Sequence, residues 1–335
     1  MIKLSILDQS PIAEGQSPRE ALRETVQLAQ YAERLGFTRF WVSEHHDATT
    51  LAGSSPEVLM SHLATKTSSI RIGSGGVMLT HYAPYKVAEN FKVLEALFPG
   101  RIDLGVGRAP GGMPRATYAL NNGKYRDATI YPEQLDELSM YLHDRIPDDH
   151  PYYGMKATPS IQEAPPIWTL GSSTHSAKLA AEKGLPYMYA KFINDEGGEE
   201  AASVYEENFQ PSPYCKTPTQ AVAVFFVCAE TEEDVETITS SLDLSLLLSA
   251  QGIESSGTPS PETAKTYAYS PFEAKYIPEN RKRMIIGTPA SAKKQIEALA
   301  EAHRTDEVML VMNTFRVEDK MKAYELIAKE MFGDK

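Results

Sequence analysis

The sequence predicts a single (β/α)8 barrel, and three observations carry that prediction. Short apolar runs rich in β-branched and aromatic residues recur eight times, stretches of helical period separate most of them, and the segments after several runs gather histidine, glycine, arginine and serine. Runs that are apolar along their whole length fit strands buried on both faces, as in a parallel sheet covered by helices. Right-handed crossovers close eight such units naturally. An open doubly wound sheet is the rival arrangement.

Residues 2–7 read as the first strand and 18–35 as a helix stopped by Gly36. The second strand is 39–43, followed by a helix over 56–67 that opens on a proline, and the third strand is 70–76. A helix over 84–97 places Val87, Phe91, Leu94 and Leu97 near one face before the Pro99-Gly100 turn, and 102–106 is strand four. The stretch 108–131 is too long for a routine connection and is a candidate active-site loop, with helix resuming over 132–142. Residues 167–170, 187–190, 221–228 and 307–312 supply the last four strands, and 174–183, 232–248, 290–302 and 317–331 are helical. Between 251 and 280 the chain is enriched in Ser, Thr and Pro, which marks an excursion inserted before the last βα unit. The whole chain, 1–335, therefore reads as one domain.

Composition narrows the function. With 42% hydrophobic and 23% charged residues the chain is an ordinary globular protein. A net charge of -12 disfavours a nucleic-acid backbone or an anionic membrane as partner. Two cysteines, Cys215 and Cys228, make neither a disulfide framework nor a Cys-rich metal site, and they fit a reducing compartment. The first residues lack signal-peptide features, and no run approaches the roughly 18 apolar residues of a membrane span, so a cytoplasmic location is expected. Neither a G-x-S-x-G elbow nor a zinc-protease helix pair occurs, so hydrolase chemistry has little support.

In a parallel barrel the active site is built after the strand C-termini. Strand two ends in Ser43, Glu44, His45 and His46, where a carboxylate and two imidazoles suit acid–base work, ligand binding or hydrogen bonding within the fold. Side chains alternate along a strand, so two adjacent histidines chelate one ion only where the strand has already ended. Strand three ends in Gly73-Ser74-Gly75-Gly76, which means a bulge or a close approach of a flat group to the backbone. Strand four runs into Arg108, suited to a phosphate, a carboxylate or a surface ion pair. The strongest local signal is Gly171-Ser172-Ser173-Thr174-His175-Ser176 between a strand and a helix. Helix-end amides and hydroxyls there suit a dianionic phosphate, while a single serine acting as N-cap needs no ligand.

Taken jointly, 4–11 (LSILDQSP), 41–46 (WVSEHH), 73–79 (GSGGVML), 99–108 (PGRIDLGVGR) and 168–184 resemble the bacterial luciferase-like flavin monooxygenases. The closest likeness is to a bacterial subgroup named alkanal monooxygenase by similarity, and it covers nearly the whole chain. The resemblance implies that Gly75 and Gly76 form a cis peptide behind the flavin ring. It also implies that Arg108, Gly171, Ser172, Ser173 and Ser176 engage the phosphate of FMN, that Glu44 lies close to the flavin, and that His45 is the base, with His46 in an orienting role. Gly107 stands where the luciferases carry a reactive cysteine, so light emission is not expected. The activity implied is oxygenation of a small organic substrate by reduced FMN and dioxygen through a flavin hydroperoxide. A separate flavin reductase would supply the reduced FMN, and a homodimer would form through helices near the start of the chain. Hydride transfer with a deazaflavin or nicotinamide on the same barrel, and a non-catalytic flavin-binding protein, are the alternatives.

Overall fold

The computed structural model describes residues 2–253 and 255–333. Residues 1, 254, 334 and 335, which the one-domain reading and its excursion include, lie outside the described residues. Ten strands occur among the described residues: β1 (Lys3–Asp8), β2 (Arg39–Val42), β3 (Arg71–Ser74), β4 (Val77–Met78), β5 (Ile102–Gly107), β6 (Ile167–Gly171), β7 (Tyr187–Ala190), β8 (Gln220–Cys228), β9 (Met284–Gly287) and β10 (Glu307–Val311). Eight of them form a closed parallel barrel in the order β1-β2-β3-β5-β6-β7-β8-β10, closed by β10 pairing with both β8 and β1. The eight expected strands are therefore the barrel. β4 continues the third position by pairing with β5. β9 pairs with β8 over Phe225–Cys228, where β7 and β10 have largely diverged from it.

The helices are α1 (Pro18–Leu35), α2 (Pro56–Lys66), α3 (Pro84–Leu97), α4 (Pro114–Leu120), α5 (Tyr131–Leu142), α6 (Thr174–Glu182), α7 (Gly198–Asn208), α8 (Glu232–Ala250), α9 (Pro261–Thr266), α10 (Glu273–Arg281), α11 (Pro289–Ala302) and α12 (Val317–Phe332). The start and stop signals in the sequence act as expected at α1. Ser17 and Glu20 close a capping box, Pro18 opens the helix, and Gly36 stops it at φ 83°. In α3 the expected face is buried except for Leu97, which is 59% exposed at the last turn.

The barrel interior explains several glycines and prolongs the strand pattern. At its floor Arg39 binds Glu307 through two nitrogens at 2.6 and 3.0 Å and Asp103 at 2.8 Å, while Arg71, Trp41 and Ser5 complete the partners of the two carboxylates. Above this layer Trp41 and Trp168 meet edge to face with centroids 5.6 Å apart. β3 answers the Trp41 indole with glycine, and β5 answers the β3 backbone with another. A Cβ on Gly73 would sit 2.4 Å from Trp41 Nε1, and one on Gly105 would sit 2.0 Å from the Ser74 carbonyl oxygen. Large and small residues thus share one cross-section at native packing density.

Candidate active site

Four consecutive barrel positions, β2, β3/β4, β5 and β6, bring the sequence-predicted residues to one arc of the C-terminal rim. After β2, Glu44 is 1% exposed, and three donors converge on its carboxylate. The Tyr82 hydroxyl donates to Oε1 at 2.8 Å, His46 Nε2 lies 2.7 Å from the same oxygen, and the Met78 amide donates to Oε2 at 3.0 Å. Burial and the Glu44 charge push the Tyr82 phenol far above its usual range, so it stays protonated and donates. Glu44 therefore ties the end of β2 to β4.

His45 takes a separate course. Its Nδ1 lies 3.0 Å from Ser43 Oγ, and burial, with the neighbouring His46, pushes the imidazole down to about 4. It is neutral at physiological pH. The two histidines have different partners, and among the described residues no group of three or more His, Cys, Asp and Glu is arranged to hold a metal.

The third strand expected over 70–76 is interrupted where Gly75 and Gly76 share a cis peptide. A Cβ on Gly75 would lie 2.7 Å from Leu7 Cδ1, and one on Gly76 2.6 Å from the Gly105 carbonyl oxygen. Backbone therefore forms this part of the rim, as a close approach requires.

Beside it, Gly107 of β5 pairs with Leu170 of β6, so Arg108 and the Gly171-Ser172-Ser173 turn leave the barrel side by side. Arg108 is exposed and has no carboxylate partner among the described residues. Arg126, which the sequence reading did not single out, donates to the Arg108 carbonyl at 2.6 Å, and burial and the Arg108 charge lower its pKa. Its only sequence signal was a place inside the long loop. At the start of α6, Ser173 is the N-cap and Ser176 closes the capping box, so the capping role weighed for these serines is present. Capping serves the Ser176 amide and leaves the first-turn amides of Thr174 and His175, with the Ser172 hydroxyl, free of partners among the described residues. Glycine at 171 is required by the approach of Ser176, whose Oγ would lie 2.1 Å from a Cβ.

Both long segments touch the loop that follows β2 and also rest on a neighbouring loop, after β4 for 108–131 and after β1 for the excursion. From 108–131, the Gly111 carbonyl accepts from the His46 amide at 2.8 Å and Arg115 pairs with Asp47. His81 Nε2 bonds the Pro110 carbonyl at 2.8 Å, with Asn121 on its Nδ1 at 2.9 Å. From the excursion, Thr258 bonds Ile12 and Glu14 at 2.7 and 2.9 Å, and the Ser255 carbonyl accepts from Thr49 at 3.2 Å.

The rim of this closed parallel barrel brings two imidazoles, a backbone wall and a helix start beside an exposed arginine to one arc, the end of such a barrel at which active sites are built. The family model described as luciferase-like monooxygenase matches residues 2–306, and the chain belongs to that family. It is 55% identical over 334 residues to the uncharacterized protein YwcH of Bacillus subtilis, covering 100% of both chains. It is 38% identical to the N-acetyl-S-alkylcysteine monooxygenase of the same organism, again over 100% of both. Among solved structures, apo-MsnO8 superposes with a TM-score of 0.91 at 33% identity, covering 100% of this chain and 99% of that one. No helix among the described residues is long and apolar enough to cross a membrane.

Proposed function

We propose that the protein is a monooxygenase that uses reduced FMN and dioxygen to oxygenate a small organic substrate, the balance being S + O2 + FMNH2 → SO + FMN + H2O. The observation that carries the reading is the cradle: an unpaired Arg108 beside two free helix-end amides and a free hydroxyl fits a phosphate dianion. When bound, the flavin supplies the electrons that activate oxygen. The chain's own groups hold and enclose the reactants. Arg108, Ser172 and the start of α6 anchor the phosphate, and the backbone at Gly75–Gly76 gives a flat ring a surface to lie on. His45 offers a neutral imidazole for moving a proton, and Glu44 with Tyr82 positions His46. The segments 108–131 and 251–280 close the mouth and exclude water.

The relative that acts on N-acetyl-S-alkylcysteine makes an N-acylated thioether the first substrate class to test. A flavin reductase is the functional partner, and the protein works as a cytoplasmic homodimer. Val58 of α2 and Val93 and Leu97 of α3 are exposed apolar side chains on helices near the start of the chain, which supports placing the second copy there.

Oxygen uptake by the protein with enzymatically reduced FMN, with and without N-acetyl-S-methylcysteine, tests the proposal. Uptake that depends on the thioether, yields its sulfoxide and falls at least about tenfold in His45→Ala is expected, in line with the usual contribution of a proton-transfer group. Confirmed FMN binding without uptake above free flavin would sink it in favour of hydride transfer or passive binding.

A further inference from the structure

Two carboxamides stand on the rim away from the anion cradle. Gln9 follows β1 and Asn313 follows β10, neighbouring strands paired in register from Lys3↔Glu307 to Leu7↔Val311. Ser5 and Glu307 meet inside the barrel. Counting by twos from them through Leu7 and Val311 brings Gln9 and Asn313 to the interior face at the mouth. Asp8 and Lys320 lie out of that phase, between the barrel and its helices, where Asp8 accepts from Thr25 at 2.6 Å.

The Asn313 amide donates to the Gln9 carbonyl. Gln9 is 9% exposed, and its Nε2 has no partner among the described residues. Asn313 Oδ1 also lacks one and is fully enclosed, which Gln9 Nε2 is not. Turning both amides over exchanges their roles and again leaves an NH2 group on one side chain and a C=O on the other without partners in the pair. A half-paired buried carboxamide is costly, and the cost falls when a ligand supplies the missing partners. Because neither group is charged, the pair favours a neutral donor–acceptor edge over a carboxylate or an ammonium.

We infer that Gln9 and Asn313 are specificity-determining residues that read an amide edge, an N–H beside a C=O, on the molecule held at this rim. On the monooxygenase reading above, that edge is the secondary amide of an N-acylated thioether substrate. His45 lies in the loop that follows the next strand, β2. The cofactor is the second source of the same chemistry, since the pyrimidine ring of a flavin also carries an imide edge.

The test is calorimetric titration of the FMN-loaded protein with N-acetyl-S-methylcysteine and with its analogue in which an ester oxygen replaces the amide N–H. Gln9→Met and Asn313→Leu each keep side-chain size and remove hydrogen bonding, and the two are tested separately so that one serves where the other fails to fold. The wild type is expected to bind the amide at least about tenfold more tightly than the ester, a typical penalty for leaving a built hydrogen-bonding site unpaired. The variants are expected to bind both alike and to keep FMN affinity within about twofold. A tenfold loss of FMN affinity with an unchanged amide preference would overturn the substrate assignment and give the edge to the flavin. Unchanged ligand and FMN affinities in all variants would overturn the inference altogether. Oxygen uptake on the same samples separates the two readings: discrimination without uptake sinks the monooxygenase proposal and leaves the carboxamide pair standing.

Discussion

Glu44 shows how a residue's neighbours define its work. The sequence places a carboxylate beside two imidazoles and leaves open which of them acts on a ligand. In the structure the carboxylate is buried under Tyr82, His46 and the Met78 amide, so its geometry is that of a positioning group. Tyr82 was not legible in advance because it lies 38 positions away and carries no motif. Replacing Tyr82 with Phe removes one donor from a buried charge and should cost about 1.5–3 kcal/mol, the usual value for a hydrogen bond to an ionised group. Urea unfolding measures that cost. Activity should fall in parallel, as the Glu44 carboxylate that holds His46 loses one of its donors, and a variant with unchanged stability and turnover would remove Glu44 and Tyr82 from the site.

At the scale of elements, what the sequence revealed followed from burial. All eight barrel strands were legible because each is an apolar run covered on both sides. Six elements escaped: α4 buries none of its residues, α10 carries Pro278 inside it, and β4 and α9 are short, whereas α7 buries mainly small residues beside Tyr205 and β9 is a buried four-residue run inside the stretch between β8 and α11 that was not read as a strand. α6 was legible, along with the capping role of its serines. Ser173→Ala should lower stability by about 1 kcal/mol through loss of the cap. It should also weaken FMN binding more than riboflavin binding, since only FMN carries the phosphate. Paired fluorescence titrations check this, and equal losses for the two flavins would move the phosphate away from α6.

For the molecule as a whole, charge is distributed between a sealed floor and a rim. Burial alone would raise the pKa of Asp103, but the Arg39 and Arg71 guanidiniums more than offset it and hold the carboxyl below its ordinary value. Its contribution is present above the unfolded carboxylate range and is lost only as pH falls through the lowered folded value. The histidines give way earlier. Burial pushes His45, His143 and His303 down to about 4 from an ordinary 6.5. Each takes a proton more readily when the chain unfolds, so stability is complete above pH 6.5 and declines as pH falls toward 4. Melting temperatures across that range should drop steadily, and His303→Gln should flatten the slope. A level profile from 6.5 to 4 would contradict the assignment. The Arg39–Asp103–Glu307 floor was not legible in the sequence, because its members lie far apart in the chain and only closure of the barrel makes them neighbours.

Trp41 and Trp168 are the two tryptophans of the chain, and both line the barrel interior within one ring's width of each other. Indole emission from this protein therefore originates at a single place, directly beneath the rim, with no contribution from a surface reporter. The molecule carries its own optical probe of the space where cofactor and substrate would meet, and events at the outer helices are dark to it unless they reach the core.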